Sequence, residues 1–145
     1  SEDIGLADPT AMMVAGEAAR AFARLGAPEG LIPMAHALVH LATAPKSNAA
    51  YLGLKRARAA ARETGSLLPP KHILHAPTQL MKDQGYGEGY AYDHAAEGSF
   101  SGQDYFPDGM DRAHFYDPKG AGREAQIAER LQHWRQLRAR RADPS

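Results

Sequence analysis

Two histidines placed four residues apart are the first feature of this sequence that could do chemistry. His36 and His40 would share one face of a helix, and that spacing can bind zinc. No glutamate follows His36, so the zinc-protease signature is absent, and no third ligand is evident. His72 and His75 form a looser pair. We therefore predict a surface or core-edge role for all four histidines and no metal site.

A glycine-rich run from Gly85 to Gly89 suggests a phosphate-binding loop at first sight. A dinucleotide loop needs glycine at the last position of its motif, where this chain has Tyr90. The Gly-Lys-Ser/Thr motif of a nucleoside-triphosphate-binding loop occurs nowhere in the sequence. These glycines are better explained as the end of a helix and the turns that follow it.

A polar cluster at Lys46, Ser47 and Asn48 is the remaining candidate for reactivity. No base is paired with it in the sequence, and serine is a favoured helix cap, so we predict a cap at Ser47. The acidic residues lack calcium-loop spacing. A hydrolase built on His36 or His40 is improbable because a nucleophile, its base and an orienting group are not all present. The sequence thus predicts no catalytic, cofactor-binding or metal-binding residue.

The composition is that of one globular domain. The chain has 145 residues, of which 43% are hydrophobic, a formal net charge of zero and no cysteine. No apolar run approaches the ~20 residues of a membrane span, and we predict no signal peptide. The first residue is Ser1, so we expect residues 1–145 to be a single domain taken from a longer intracellular polypeptide.

Charge is unevenly distributed along the chain. Residues 83–117 include eight acidic residues and a single arginine or lysine, Arg112, whereas the tail is basic. The acidic residues are Asp83, Glu88, Asp93, Glu97, Asp104, Asp108, Asp111 and Asp117. Two interpretations stay open: a solvated acidic loop, and an acidic patch that docks on the basic patch of a neighbouring subunit.

Helix signals dominate the chain. Capping residues, prolines and glycines bound each predicted helix. The helices are predicted at 9–25, 33–43, 47–65, 78–84 and 123–140, with a further helical turn around Ile73 and Leu74. Their predicted apolar faces comprise Met12, Ala15, Ala19 and Phe22; Leu38, Leu41 and Ala42; Ala50, Leu54, Ala57 and Ala61; and Ile127, Leu131 and Trp134.

A segment rich in tyrosine, glycine and aspartate separates the last two helices. Residues 89–118 are predicted to form loops, with one or two short strands at 90–92 and 114–116 that could make a hairpin. Aromatic side chains could supply the packing that so long a loop needs. We therefore predict an all-α fold, a bundle of about five or six helices with an irregular Tyr-rich segment.

Basic side chains on two helices are candidates for contact with DNA or a protein partner, because phosphates attract them. They are Lys55, Arg56, Arg58, Arg62, Arg135 and Arg138. The acidic surplus of the Tyr-rich segment argues against direct DNA binding.

Several strings of this sequence are more specific than any of these signals. They include residues 1–9, 41–51, 76–82, 85–94 and 103–107, together with Phe115-Tyr116. Within them the residues that carry the resemblance are Asp3, Gly5, Pro45, Lys46, Ser47, Asn48, Pro77, Thr78, Gly85, Tyr86, Gly87, Tyr90, Tyr92 and His94. Over nearly its whole length the chain resembles the carboxy-terminal part of the replication-associated recombination protein A family, also called MgsA. His75 departs from the asparagine expected before Ala-Pro-Thr.

The resemblance implies a function for the longer protein. Such a protein looks like a DNA-dependent AAA+ ATPase of the clamp-loader clade, related to the Werner-helicase-interacting ATPases, that uses ATP and Mg at damaged replication forks. It implies single-stranded DNA-binding protein as a partner and a cytoplasmic, nucleoid-associated location in a bacterium. The ATPase motifs would lie upstream of Ser1. The carboxy-terminal region would be similar to the clamp-loader collar and would assemble a homotetramer.

Two hypotheses follow for this chain. The first is an oligomerisation domain, which the resemblance and the alanine-rich helices favour. The alternative is a module that docks on DNA or a replisome protein through the basic helices.

Overall fold

The computed structural model describes residues 1–142 and is all-α, which confirms the predicted fold class. The α-helices are α1 (Ala11–Leu25), α2 (Leu31–Thr43), α3 (Ala49–Thr64), α4 (Gln79–Asp83) and α5 (Glu124–Ala142). Short 3₁₀ turns lie at Gly5–Ala7, Lys71–Ile73, Asp93–Ala95 and Glu97–Ser99. Each predicted helix is present, with its start displaced by two residues or fewer.

The two short strands considered in the Tyr-rich segment do not form, since residues 1–142 contain no strand. A side chain takes the place of a partner strand there. The Gln103 amide donates to the Gly89 carbonyl (2.7 Å) and accepts from the Ala91 N–H (2.9 Å). The Gly89 carbonyl and the Ala91 N–H thus have hydrogen-bond partners without a paired strand.

Local side-chain hydrogen bonds mark the start of α1 and the end of α2. Before α1, Asp8 Oδ1 accepts from the Thr10 N–H (3.0 Å) and hydroxyl (2.6 Å). After α2, the Lys46 Nζ donates to the carbonyls of Leu41 (2.6 Å) and Ala44 (2.8 Å). A cation at a helix C-terminus satisfies orphan carbonyls and matches the helix dipole.

The described chain forms two compact units. The first comprises Ser1–Arg58 and Phe115–Leu131, and the second comprises Ala59–His114 and the chain from Gln132 onward. The division falls within α3 and within α5.

In the first unit the N-terminal segment runs very close to two other stretches of backbone. The Ser47 N–H donates to the Asp3 carbonyl (2.8 Å), and the Arg123 N–H donates to the Ala7 carbonyl (2.9 Å). Glycine is required at each of these two close approaches. A Cβ on Gly5 would lie 2.8 Å from the Ser47 oxygen, and one on Gly122 would lie 2.2 Å from the Ala7 oxygen.

Small side chains form the buried interior of the first unit. The buried apolar residues are Ile4, Ala7, Ala11, Ala18, Ala37, Ala44 and Ala49. The predicted inner face of α3 is only partly right. Ala50 and Ala57 are half-buried, but Leu54 and Ala61 are exposed, and Ala49 and Gly53 are the buried residues. A Cβ on Gly53 would lie 3.3 Å from the Phe115 oxygen. Here a backbone packs on the helix, and only the smallest residues allow that approach.

The predicted inner faces of α1 and α2 are also largely exposed. Met12, Phe22 and Leu38 lie at the surface, whereas Ala11, Ala18 and Ala37 are buried. The large apolar residues thus follow the predicted periodicity but do not form the core of the described chain.

In the second unit α5 packs on the Tyr-rich segment through Phe100. The Trp134 ring stacks on Phe100 with centroids 5.8 Å apart and planes 3° apart. The Arg138 guanidinium lies 5.1 Å from the Phe100 centroid, and its Nε donates to the Gly102 carbonyl (3.3 Å). Of the predicted apolar face of α5, Trp134 makes this contact in the second unit, whereas Ile127 and Leu131 belong to the first unit and are half-buried there.

We expect Gly122→Ala to destabilise the chain far more than Gly120→Ala. Both glycines have positive φ, so each substitution costs about 1–2 kcal/mol of backbone strain. Only at Gly122 would the new methyl also clash with Ala7 and Pro45, which raises the total to about 3 kcal/mol or more. Chemical denaturation followed by circular dichroism measures both losses, and equal losses would show that the close approach carries no cost.

Candidate functional site

A fully buried carboxylate lies at the start of α5. Glu124 accepts three hydrogen bonds, from the Ser47 hydroxyl (2.7 Å), the Tyr116 hydroxyl (2.9 Å) and the Lys119 N–H (2.8 Å). Its position in the first turn of a helix also places it at the positive end of the helix dipole. Neither Glu124 nor Tyr116 was predicted to form a site. The sequence shows Glu124 only as an acid in the first turn of a helix, and Tyr116 only as part of the Phe115-Tyr116 string.

These hydrogen bonds decide the charge state of the network. Burial by itself would raise the pKa of Glu124, but the hydrogen bonds from Ser47, Lys119 and Tyr116 outweigh it and leave the pKa below its ordinary value. Burial, with the hydrogen bond to Glu124 and its charge, raises the pKa of the Tyr116 hydroxyl. Glu124 is thus an anion and Tyr116 a neutral donor at neutral pH.

Ser47 joins three parts of the first unit. Besides donating to Glu124, its Oγ accepts from the Ala49 N–H (3.2 Å), and its own N–H holds the N-terminal segment at Asp3. The Ser47 side chain thus makes a capping hydrogen bond to the first residue of α3, whose first intrahelical bond is accepted by the Asn48 carbonyl. Ser47 is only 3% exposed, and its hydroxyl donates its hydrogen to the Glu124 carboxylate. The hydroxyl therefore stabilises the fold and does not face a substrate.

Large apolar side chains are exposed along α1 and α2. We call this set the apolar surface. It consists of Met12, Met13, Phe22 and Leu25 on α1, and of Leu31, Ile32, Met34, Leu38 and Val39 on α2. Ile32 is 72% exposed and Leu38 is 68% exposed. Exposed large apolar side chains in such number usually mark an interaction site.

A groove of about 880 Å³ lies beside the apolar surface in the first unit. Its lining is mostly apolar and includes Ile4, Leu6, Met12, Leu38 and Leu41. Met12 and Leu38 belong both to the groove and to the apolar surface, so the two features are continuous.

The candidate basic residues differ in their surroundings. Lys55, Arg58, Arg62 and Arg135 are exposed. Arg56 is exposed but its Nη1 donates to the Phe115 carbonyl (2.9 Å). Arg138 is half-buried against Phe100. Lys55 and Arg58 belong to the first unit, and Arg62, Arg135 and Arg138 to the second.

The residues that carry the family resemblance lie in structural positions of both units. In the first, Asp3, Gly5, Ser47 and Lys46 make the contacts described above, and the Asn48 carbonyl accepts from the Leu52 N–H in the first turn of α3. Pro45 packs beside Gly122.

In the second unit Thr78, which follows Pro77, is the N-cap of α4, with its hydroxyl accepting from the Met81 N–H (3.3 Å). Gly85 and Gly87 have positive φ on either side of Tyr86, as their predicted turn role requires. Tyr90 and Tyr92 are exposed, and the Tyr92 ring lies 5.1 Å from His94.

The histidine pair of α2 is split between two environments. His40 Nε2 lies 2.9 Å from Asp8 Oδ2, while His36 is exposed. Across residues 1–142 no three or more His, Asp or Glu side chains come close enough together to hold a metal ion. Among the described helices, none combines the length and hydropathy that a membrane span requires.

The all-α fold and the Ser47–Glu124 network thus define a helical module without a nucleotide loop in its sequence. Comparison with known proteins places it in a family. The family described as "MgsA AAA+ ATPase C terminal" matches residues 1–135, and the chain belongs to it.

Named relatives agree with this assignment. Replication-associated recombination protein A of Escherichia coli K12 is 46% identical over 132 residues, covering 90% of this chain and 30% of the relative. The protein of the same name from Coxiella burnetii is 43% identical over 138 residues, covering 94% of this chain and 31% of the relative. The ATPase WRNIP1 of Dictyostelium discoideum is 37% identical over 120 residues, or 82% of this chain and 14% of the relative. The chain therefore spans less than a third of these relatives.

We expect Glu124→Gln to cost about 2 kcal/mol of unfolding free energy at pH 7, because an amide group cannot accept from all three buried donors. Folding lowers the pKa of Glu124. Between the lowered pKa and the ordinary one, the unfolded chain therefore binds more protons than the folded chain. The contribution of the carboxylate is present above pH ~4.3, the ordinary glutamate value, and is lost as pH falls through the lowered pKa.

The matched control is Glu129→Gln, since Glu129 is exposed on the same helix. Its unfolding free energy should stay within about 0.5 kcal/mol of wild type. Denaturation curves between pH 3 and pH 7 measure both variants. A stability gap between wild type and Glu124→Gln that stays constant over this range would contradict the assigned charge state.

Proposed function

We propose that this chain is the self-association domain of an AAA+ ATPase, acting as one oligomerisation domain over residues 1–145. The observation that carries the proposal is the apolar surface of α1 and α2. A helix that is apolar on most of its sides is normally buried, yet Ala37 is the only residue of α2 that is buried in the described chain. Burial of this surface on other copies would remove it from water.

The packing of the first unit supports the same proposal. Its interior is filled mainly by alanines, while the large apolar residues that usually form a core remain outside. Interfaces of obligate oligomers resemble a domain core cut in half. The apolar surface and its continuous groove fit that description.

We propose that the longer protein has the activity of the class of ATPase to which its relatives belong. It would be a DNA-dependent ATPase of the clamp-loader clade that uses ATP and Mg and acts in the maintenance of replication forks and in recombination. It would assemble as a homotetramer, associate with single-stranded DNA-binding protein and work in the bacterial cytoplasm at the nucleoid. The names "Replication-associated recombination protein A" and "ATPase WRNIP1" support the coarse class.

We expect this chain to have a solution mass about four times its 15.7 kDa. Size exclusion coupled to light scattering, repeated over a hundredfold range of protein concentration, measures that mass. A mass of 15.7 kDa at high micromolar concentration would reject self-association by this domain.

The alternative function is docking on DNA or a replisome protein. The exposed stripe of α3 favours it, because Lys55 and Arg58 lie one helical turn apart and Tyr51 is exposed one turn before them. Basic side chains next to an aromatic ring are typical of single-stranded nucleic-acid binding.

We expect the double variant Lys55→Glu, Arg58→Glu to weaken any DNA binding by this chain. Each lost phosphate contact should also reduce the slope of log affinity against log salt by about 0.7 for single strands. The control is Arg20→Glu, a change on α1 at a residue paired only with Glu17 on the same helix. Fluorescence anisotropy with a labelled oligonucleotide measures all three proteins. Equal affinities would exclude the α3 stripe as the contact.

A further inference from the structure

Helix α2 differs from the other helices in its charge. Of the α-helices within residues 1–142, it alone contains no Asp, Glu, Lys or Arg. Two copies of a face that carries charges of one sign repel each other when they pack around a two-fold axis. The Lys55 and Arg58 stripe of α3 is an example, because both copies would bring cations to the contact. The face of α2 carries no such penalty, and it offers no cation to a polyanion such as DNA.

Large and small residues alternate on the exposed face of α2. Leu31, Ala35, Leu38 and Ala42 recur at intervals of four, three and four residues, and all four are exposed. This spacing places them in one stripe along the helix. Each leucine is a protrusion on the stripe and each alanine leaves a recess.

We propose that α2 packs antiparallel against α2 of a second copy of this chain, a contact that rests on the proposed self-association. In an antiparallel pair centred between residues 36 and 37, Leu38 of each copy lies over Ala35 of the other, and Leu31 lies over Ala42. Facing positions that alternate in size interdigitate without a void. The same register pairs Met34 with Val39, and the opposed helix dipoles attract.

The two-fold symmetry of this contact predicts how the oligomer dissociates when the contact is lost. A self-complementary contact joins copies in pairs, and a tetramer then needs a second such interface elsewhere. Loss of the α2 contact should therefore halve the solution mass, from a tetramer to dimers or from a dimer to monomers.

Leu38→Glu tests the contact because it places two carboxylates in the paired stripe. Leu38 is 68% exposed in the single chain, so the variant should fold, which circular dichroism checks. The matched control is Leu80→Glu on α4, where the leucine is 67% exposed and lies off the stripe. We expect light scattering to give half the wild-type mass for Leu38→Glu and the full mass for Leu80→Glu.

The absence of cysteine from the sequence permits a direct test of register. Chains with Ala35→Cys and chains with Leu38→Cys are mixed in equal amounts and oxidised with oxidised glutathione. The proposed register predicts a covalent dimer containing one chain of each kind. A mixture of Ala35→Cys with Leu80→Cys should give no such dimer.

The outcomes separate this proposal from the proposed function. A monomeric wild-type chain would overturn both. An oligomeric wild type whose mass Leu38→Glu leaves unchanged, with no 35–38 cross-link, would overturn the α2 pairing alone. In that case α2 is covered by a different segment or partner.

Discussion

The buried carboxylate of Glu124 is the interaction on which the first unit depends. It accepts one hydrogen bond from Ser47, 77 residues away in the turn before α3, and two from Tyr116 and Lys119, eight and five residues before it. Ser47 also holds the N-terminal segment through its own N–H. A buried charge is tolerated only when its hydrogen-bonding capacity is filled, so this anion requires the turn before α3 and residues 116–119 to be in place at the start of α5 together.

Close backbone approach is the second constraint, and it explains why small residues are found at particular points. Gly5 and Gly122 lie where another stretch of main chain passes too near for a side chain, and at Gly53 the Phe115 oxygen leaves a tight 3.3 Å for a Cβ. These approaches set the path of the N-terminal segment and of residues 115–116 across α3. The hydrogen-bond network and the glycines thus specify the same arrangement by different means.

Local signals in the sequence were sufficient to predict the helices, because caps, prolines and glycines act within a few residues. Thr78 and Gly85 bound α4 as expected. The buried faces were not predictable in the same way. Periodicity identified Leu54 and Leu38 as inner residues, yet alanine and glycine make the contacts within the chain. Apolar periodicity shows that a face avoids water but does not show whether its own chain or another one covers it.

The candidate site was predicted only in part for a related reason. Ser47 was recognisable as a cap, since its role is local. Its partnership with Glu124 spans 77 residues and depends on the tertiary fold, so no sequence spacing indicates it. The basic residues were visible as charges, but whether each is exposed or tied to a carbonyl, as Arg56 is, depends on what packs beside α3.

An interior made of alanines has a thermodynamic consequence. Alanine buries little apolar area, so a lone chain draws modest stabilisation from the hydrophobic effect. If copies of the chain cover α2, folding and assembly are linked by mass action. The melting temperature then rises with chain concentration, and dilution alone favours unfolding.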